Sequence, residues 1–223
     1  MAREQVEPAF PIRLVEGYKA FHYGRLRHER ERYEQLAAQG QRPEVMVISC
    51  CDSRAAPEIV FDAAPGEMFV VRNVANLVPP YTPDGEYHGT SAALEFAVQA
   101  LKVRHIVIMG HGRCGGIHAF REQLEGNAAE PLSPGDFIGK WISLLEPAAL
   151  DIRCEDASGP DRRQRALEEA SVRTSVANLL TFPCVRILVE RGTLAIHGAW
   201  FDISSGELWT MDPQTGDFAP AMT

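Results

Sequence analysis

Apolar residues arrive along this chain in two rhythms, one close to the helical period and one in short unbroken runs. From Pro11 to about Ala38, Ile12, Leu14, Val15, Tyr18 and Phe21 recur at mixed spacings of three and four before an Arg-rich polar stretch takes over. That pattern predicts a helix, which GQRPE then stops. VMVIS (45–49), MFVVR (68–72) and HIVIMG (105–110) are rich in β-branched residues and bounded by Gly, Pro or polar residues, as strands buried on both faces are. Between the last two, GTSAALEFAVQALKV (89–103) puts Leu94, Ala97, Ala100 and Leu101 on one helical face. Strand, helix and strand in that order predict a right-handed parallel crossover. PLSPGDF is expected to be a loop, and about 161–181 a helix carrying Leu167, Val172, Val176, Leu179 and Leu180. The stretch CVRILVERGTLAIHGAWFDISSGELWTMD alternates and turns at RG and SSG, which predicts antiparallel strands added to the sheet edge. No internal repeat, linker or low-complexity segment is visible. The expected fold is α/β, with a mainly parallel central sheet, an antiparallel edge, flanking helices and an N-terminal helical arm. A single domain is expected over 1–223, divided into the arm (1–40) and the core (41–223).

Composition changes this picture little. At 223 residues, 45% hydrophobic and 23% charged, the chain can bury a good-sized core. The formal net charge of −8, with Arg interleaved with Glu as in HERERYEQ, argues against a nucleic-acid partner. No signal-peptide succession opens the chain, and no run approaches the roughly 20 apolar residues of a spanning helix. A cytoplasmic protein with no membrane partner is expected. Five cysteines, an odd number, do not read as a disulfide framework, which leaves metal ligand, nucleophile or core residue.

The two strongest strands lead into the most chemically loaded residues. VMVIS delivers Cys50, Cys51, Asp52 and Arg54, and HIVIMG delivers His111 and Cys114 in GHGRCGG. Ligands collect outside the carboxyl ends of the strands in open parallel sheets, so the two clusters can face one another and share a metal. Thiolate and imidazole are first-choice ligands of Zn²⁺, and one cysteine of the first cluster would complete three protein ligands, the number of a catalytic zinc.

SCCDSR, then RNVAN (72–76), then GHGRCGG together resemble the β-class carbonic anhydrases, in which Cys-x-Asp-x-Arg and His-x-x-Cys build the zinc site. In weaker form the resemblance runs from about Gln41 to Phe201. It implies Cys50, His111 and Cys114 as the ligands of one Zn²⁺ per subunit, with Cys51 in the variable position. Strand alternation agrees that two neighbouring cysteines cannot both face one ion. Asp52 and Arg54 match the family's catalytic dyad. The activity implied is reversible hydration of CO₂ to bicarbonate and a proton by zinc-bound hydroxide, with Asp52 accepting a hydrogen bond from the reacting oxygen and Arg54 keeping Asp52 ionised and aimed.

By the same resemblance, Gln41, Phe69, Val74 and Phe96 fall where the pocket lining is expected, and the Gly115 amide near the bound bicarbonate. Phe96 stands where relatives commonly have Tyr, so a possible proton-relay hydroxyl is missing. Where some members carry a Trp, an Arg and a Tyr for an inhibitory bicarbonate site, this chain offers Val47, Arg72 and Phe201. No such regulation is expected, and an open resting state with Asp52 paired to Arg54 is. Cys51, Cys154 and Cys184 read as structural, and Arg72 as a former of structural hydrogen bonds near the pocket. Family precedent implies a homodimer or a dimer-based tetramer. Four rivals remain: a phosphate-cradling loop at GHGRCGG, which lacks Gly-Lys-Ser/Thr; a thiol-nucleophile enzyme, although a cysteine phosphatase would want Arg where Ala56 and Pro57 stand; a CS₂ or COS hydrolase on the same zinc; and a non-catalytic zinc sensor.

Overall fold

The computed structural model describes residues 9–84, 88–127, 137–152 and 159–222. These fall into two compact units, Met1–Gln41 and Arg42–Thr223. In the first, α1 (Ile12–Ala20) passes through one π-helical turn (Phe21–Arg25) into α2 (Leu26–Gln39). Phe21 meets Tyr33 edge-on with ring centroids 6.0 Å apart. Gly40, at φ 77°, ends the helix in a conformation that favours glycine.

The second unit runs in chain order β1 (Val45–Cys50), α3 (Pro57–Val60), β2 (Met68–Asn73), α4 (Gly89–Glu95) with a π-helical continuation (Phe96–Leu101), β3 (His105–His111), α5 (Gly115–Leu124), α6 (Phe137–Ile142), α7 (Glu146–Ile152), α8 (Pro160–Leu179), α9 (Pro183–Glu190), β4 (Ala195–Phe201), β5 (Leu208–Met211) and β6 (Phe218–Pro220). The strands form one sheet of order β2-β1-β3-β4-β5-β6. The first four are mutually parallel, and β5 and β6 run antiparallel. From β1 the chain passes outward to β2, and from β3 it passes to β4 on the other side. β1 and β3 are therefore adjacent strands whose connections leave in opposite directions, the switch point at which α/β sheets place their ligands.

The largest core lies on the sheet face that carries Met46, Ile48, Ile106 and Ile108, covered by Leu94, Ala97, Val172, Leu179, Phe182 and Val185 from the helices. Its tightest approach is between α8 and the two central strands. A Cβ on Gly110 would lie 2.7 Å from Val172 Cγ2, and one on Gly198 would lie 2.9 Å from Val172 Cγ1, so both positions need glycine for the helix to reach the sheet.

Two expectations change. The segment from Cys184 is not a run of antiparallel strands. Pro183–Glu190 is a helix, with Pro at its first turn and Val185, Leu188 and Val189 turned toward the core, and β4 then pairs parallel to β3. A helix between two strands returns the chain to the same edge, so β4 keeps the parallel sense. The ladder turns antiparallel only at β5, after a short hairpin. The β4–β5 turn and the β5–β6 turn after it show a repeat the sequence pattern hides: Asp202 Oδ1 accepts from the Ser204 amide (2.8 Å), and ten residues on Asp212 Oδ1 accepts from the Gln214 amide (2.7 Å). Most of PLSPGDF, and Cys154, lie outside the described residues, although Phe137 opens α6.

Candidate metal centre

Cys50 ends β1, His111 ends β3, and Cys114 is the N-cap of α5, so three chain segments meet at the switch point. All three are buried, and one ligand atom from each lies within 4.8 Å of the others. The sulfurs of Cys50 and Cys114 are 3.9 Å apart. His111 Nδ1 is 2.9 Å from the Gly112 carbonyl, to which it can only donate, and this leaves Nε2 as the lone-pair nitrogen. That Nε2 is buried with no hydrogen-bond partner, the condition of an imidazole ready to ligate.

The sulfurs are electrostatically opposed. The contact with Cys114 lowers the Cys50 thiol well below its ordinary pKa, and the same contact, with burial, raises Cys114. One thiolate forms readily here and the second does not. A dication between them removes that opposition, since a coordinating thiol deprotonates outright. The donor set fits zinc: two soft sulfurs and one imidazole at the right mutual reach.

Beside this group, Arg54 grips Asp52 in a fork, with Nε donating to Oδ1 at 2.9 Å and Nη2 to Oδ2 at 2.7 Å. The Arg54 amide adds a third bond to Oδ1 at 2.9 Å. These bonds hold the Asp52 carboxyl well below the usual carboxylate range. Asp52 Oδ2 stands 3.9 Å from His111 Nε2, so the charge faces the metal position while both oxygens are engaged by arginine. Arg54 Nη2 also donates to the Arg113 carbonyl at 3.2 Å, tying the dyad to the loop that carries Cys114.

RNVAN supplies the floor. Arg72 donates from Nε to the Cys50 carbonyl (2.9 Å) and from Nη2 to the Asp52 carbonyl (2.7 Å), so one guanidinium fixes the backbone of both residues. Asn73 closes the next turn by exchanging two hydrogen bonds with the Leu77 backbone at 2.8 and 2.9 Å. Within that turn Ala75 (φ 65°) and Asn76 (φ 50°) are left-handed, a conformation that costs about 1–2 kcal/mol for each L-residue. Asn76 is held in place by Ser171 and Ser175 of α8.

α8 also supplies two residues that the sequence pattern did not single out. Glu168, 1% exposed, accepts from the Cys114 amide (3.0 Å), and Gln164 Nε2 donates to the Cys114 carbonyl (3.3 Å). Burial pushes the Glu168 carboxyl up, against the pull of its hydrogen bonds. Gln164, Glu168, Ser171 and Ser175 recur at helical spacing beside the apolar stripe, a polar seam that is legible as a signal only once that face is known to be buried.

The expected pocket residues divide. Val74 packs into the cluster formed by Cys50, Cys114, Leu77 and Ile117, and a Cβ on Gly116 would meet Val74 Cγ1 at 2.8 Å. Gly115 is the first residue of α5, where the helix leaves amides without intrahelical acceptors. Phe69 and Phe96 stack on each other, ring centroids 5.9 Å apart, but Phe69 packs on the large core under the helices and Phe96 is 51% exposed. Phe69 lies four register steps below Asn73, the residue opposite Cys50, or about 13 Å along the strand. Gln41 closes the N-terminal unit, outside the unit that carries the cysteines. Cys51 is exposed just past the end of β1.

A parallel α/β sheet with a buried Cys₂His group at its switch point, flanked by an ionised carboxylate in an arginine fork, defines a protein built to hold a metal beside a charged hydrogen-bond acceptor. The family model described as carbonic anhydrase matches residues 45–208. β-carbonic anhydrase 3 of Arabidopsis thaliana is 36% identical over 207 residues, 91% of this chain and 78% of that protein. Among solved structures, the β-carbonic anhydrase CcaA superposes with a TM-score of 0.82 at 28% identity, covering 95% of this chain and 92% of that one. A structure reported for two tetrameric β-carbonic anhydrases from the filamentous ascomycete Sordaria macrospora gives 0.75 at 27% identity, covering 92% and 96%. The chain belongs to the β-carbonic anhydrase family. Nothing among these relatives favours the CS₂/COS hydrolase or the sensor.

Proposed function

We propose that this chain is a zinc-dependent carbonic anhydrase in which Cys50, His111 and Cys114 hold the ion and Asp52 with Arg54 directs the reacting oxygen. The observation that carries this reading is the unpartnered, buried Nε2 of His111 within reach of two cysteine sulfurs. Zinc held by these atoms supplies Lewis-acid chemistry, lowering the pKa of a water molecule from 15.7 toward about 7 so that a nucleophile is available near neutrality. The protein does the rest. Asp52 Oδ2, the carboxylate oxygen facing His111, accepts a hydrogen bond from the attacking oxygen and turns that oxygen's lone pair toward the carbon of CO₂. Arg54 keeps that carboxylate ionised and, by its two-pronged grip, keeps it from swinging onto the metal. Val74 and the apolar cluster behind it give CO₂ a wall that does not compete for hydrogen bonds. The amides that open α5 at Gly115, at the positive end of the helix dipole, favour the anionic product.

Gln41, Phe69 and Phe96 complete the pocket in an assembly, with the Phe69–Phe96 pair offered to the site of a second copy; a homodimer or dimer-based tetramer is the working form. The protein acts in the cytoplasm, without nucleic acid or membrane. Among the described residues no single helix is long and apolar enough to cross a membrane. The test is metal analysis with CO₂ hydration followed by a pH indicator. One zinc per chain is expected, with hydration abolished by a chelator and restored by zinc. A chain that hydrates CO₂ at the same rate after complete zinc removal would overturn the reading.

A further inference from the structure

Side chains of one helix reach both backbone polar groups of Cys114, whose carbonyl also accepts from the His118 amide at 2.9 Å. The amide donates to Glu168 Oε1 at 3.0 Å and the carbonyl accepts from Gln164 Nε2 at 3.3 Å. Gln164 Nε2 also donates to Glu168 Oε1 (2.9 Å), and Glu168 Oε2 accepts from Trp200 Nε1 at 3.2 Å. Glu168 and Gln164 are 1% and 8% exposed, so this polar seam lies inside the protein. The direct partners of the carboxylate are a peptide amide, a side-chain amide and an indole, all neutral donors. An amide side chain in its place could not accept from both sides, because its NH₂ end would confront either Trp200 or Cys114 with donor against donor. The site therefore calls for an acceptor at both oxygens, which a carboxylate supplies.

The loop needs such a hold. Between His111 and Cys114 the chain passes through Arg113 at φ 55°, a left-handed position that a non-glycine residue keeps only when its surroundings fix it. Trp200 completes the enclosure, since its ring would touch a Cβ on Gly112 at 3.1 Å. We propose that Glu168, backed by Gln164, is a positioning residue for the Cys114 ligand: by locking the Cys114 peptide to α8 it sets the direction of the sulfur, and with it the affinity and coordination geometry of the metal. This rests on the zinc reading above and adds residues beyond the three ligands and the Asp52–Arg54 pair.

The test uses Glu168→Gln, which keeps size and removes one acceptor, and Gln164→Met, which keeps bulk and removes the side-chain donor to the Cys114 carbonyl while leaving the bond from the His118 amide. Zinc dissociation constants are measured by chelator competition, and the visible spectrum of the cobalt-substituted protein reports geometry at the sulfurs. The thermal midpoint of the metal-free protein serves as the folding control. Glu168→Gln is expected to weaken zinc by about 10- to 100-fold with altered cobalt bands, and Gln164→Met to shift both in the same direction by less. If Glu168→Gln does not fold, Gln164→Met alone decides. Wild-type zinc affinity and cobalt spectrum in the folded variants, including the case where only the metal-free midpoint falls, would overturn the proposal. A wild-type chain that takes up no zinc would instead bring down the zinc reading itself.

Discussion

Gly110 stands one residue before His111, under the closest crossing of α8 over the sheet. A Cβ there would lie 2.7 Å from Val172 Cγ2, with Asn76 Oδ1 and the Glu168 carbonyl oxygen each at 3.6 Å. Carbon atoms pack at about 3.5–4.0 Å, so Gly110→Ala asks its neighbour to give way by about 1 Å. Val172 is fully buried and β-branched, with essentially one rotamer open to it in a helix, so the helix must move rather than the methyl swing away. Overpacking of this kind costs about 1–3 kcal/mol. Replacing a strand glycine returns about 0.5–1 kcal/mol of chain entropy, leaving a net loss of about 1–2 kcal/mol. In a domain of this size each kcal/mol is worth about 2–4 °C, so the thermal midpoint should fall by about 2–8 °C. Because α8 carries Gln164 and Glu168, zinc affinity should fall with it. Val172→Ala removes the obstructing methyl at a cost of about 2 kcal/mol. In the double variant the two losses should not add, with a coupling of at least about 1 kcal/mol. Calorimetry on the four proteins, metal-free and zinc-loaded, reads both effects. A Gly110→Ala midpoint within about 1 °C of wild type, or an additive cycle, refutes the claim that this contact sets the helix height.

Asp52→Asn keeps the shape and removes the charge; CO₂ hydration at pH 8 should fall by about 100-fold or more while zinc content stays at wild type, and full activity would sink the dyad role. The Asp52 carboxyl is lowered by its Arg54 hydrogen bonds, so the stability of that pair is fully present above about pH 4 and is lost as pH falls further. In urea titrations of metal-free protein, the stability gap between wild type and Asp52→Asn should therefore be flat from pH 8 to pH 5 and close only below about pH 4. Two thiolates cancel the formal charge of the ion, so CO₂ hydration should still be climbing between pH 7 and pH 9; a profile already flat at pH 7 would contradict that donor set. Arg72 is committed to the Cys50 and Asp52 carbonyls, so bicarbonate should inhibit only as product, without the pH-switched inactivation that an added anion site would cause.

The parts of this fold that could be read directly were those in which burial leaves a local imprint. Strands β1 and β3 lie inside the sheet, are largely buried and are bounded by breakers, and they end side by side at Cys50 and His111; MFVVR reads the same way in sequence, yet β2 is a half-buried edge strand. The direction of β4 left no such imprint. AIHGAWF fits either sense of pairing, and what decides is α9, whose Pro183, Val185, Leu188 and Val189 fit alternation nearly as well as a helical face over only eight residues. The π-helical turns at Phe21–Arg25 and Phe96–Leu101 are one-residue accommodations inside helices, and no residue type announces them. Within the site, the candidate ligands Cys50, His111 and Cys114 and the Asp52–Arg54 pair were legible through the resemblance that their motifs carry. Gln164 and Glu168 do not, because their role depends on which face of a 20-residue helix meets a loop 50 residues earlier in the chain. Phe69 and Phe96 were legible as a pair of pocket candidates, yet one chain places them against its own core and surface.

On the zinc reading, Cys50 and not its neighbour Cys51 joins His111 and Cys114 in holding the ion. Zinc per chain, measured on purified Cys50→Ser and Cys51→Ser beside wild type, tests it most directly. Wild type and Cys51→Ser should each carry one zinc, and Cys50→Ser should carry little or none. Loss of zinc from Cys51→Ser with retention in Cys50→Ser would place the metal on the other sulfur and contradict the register of β1.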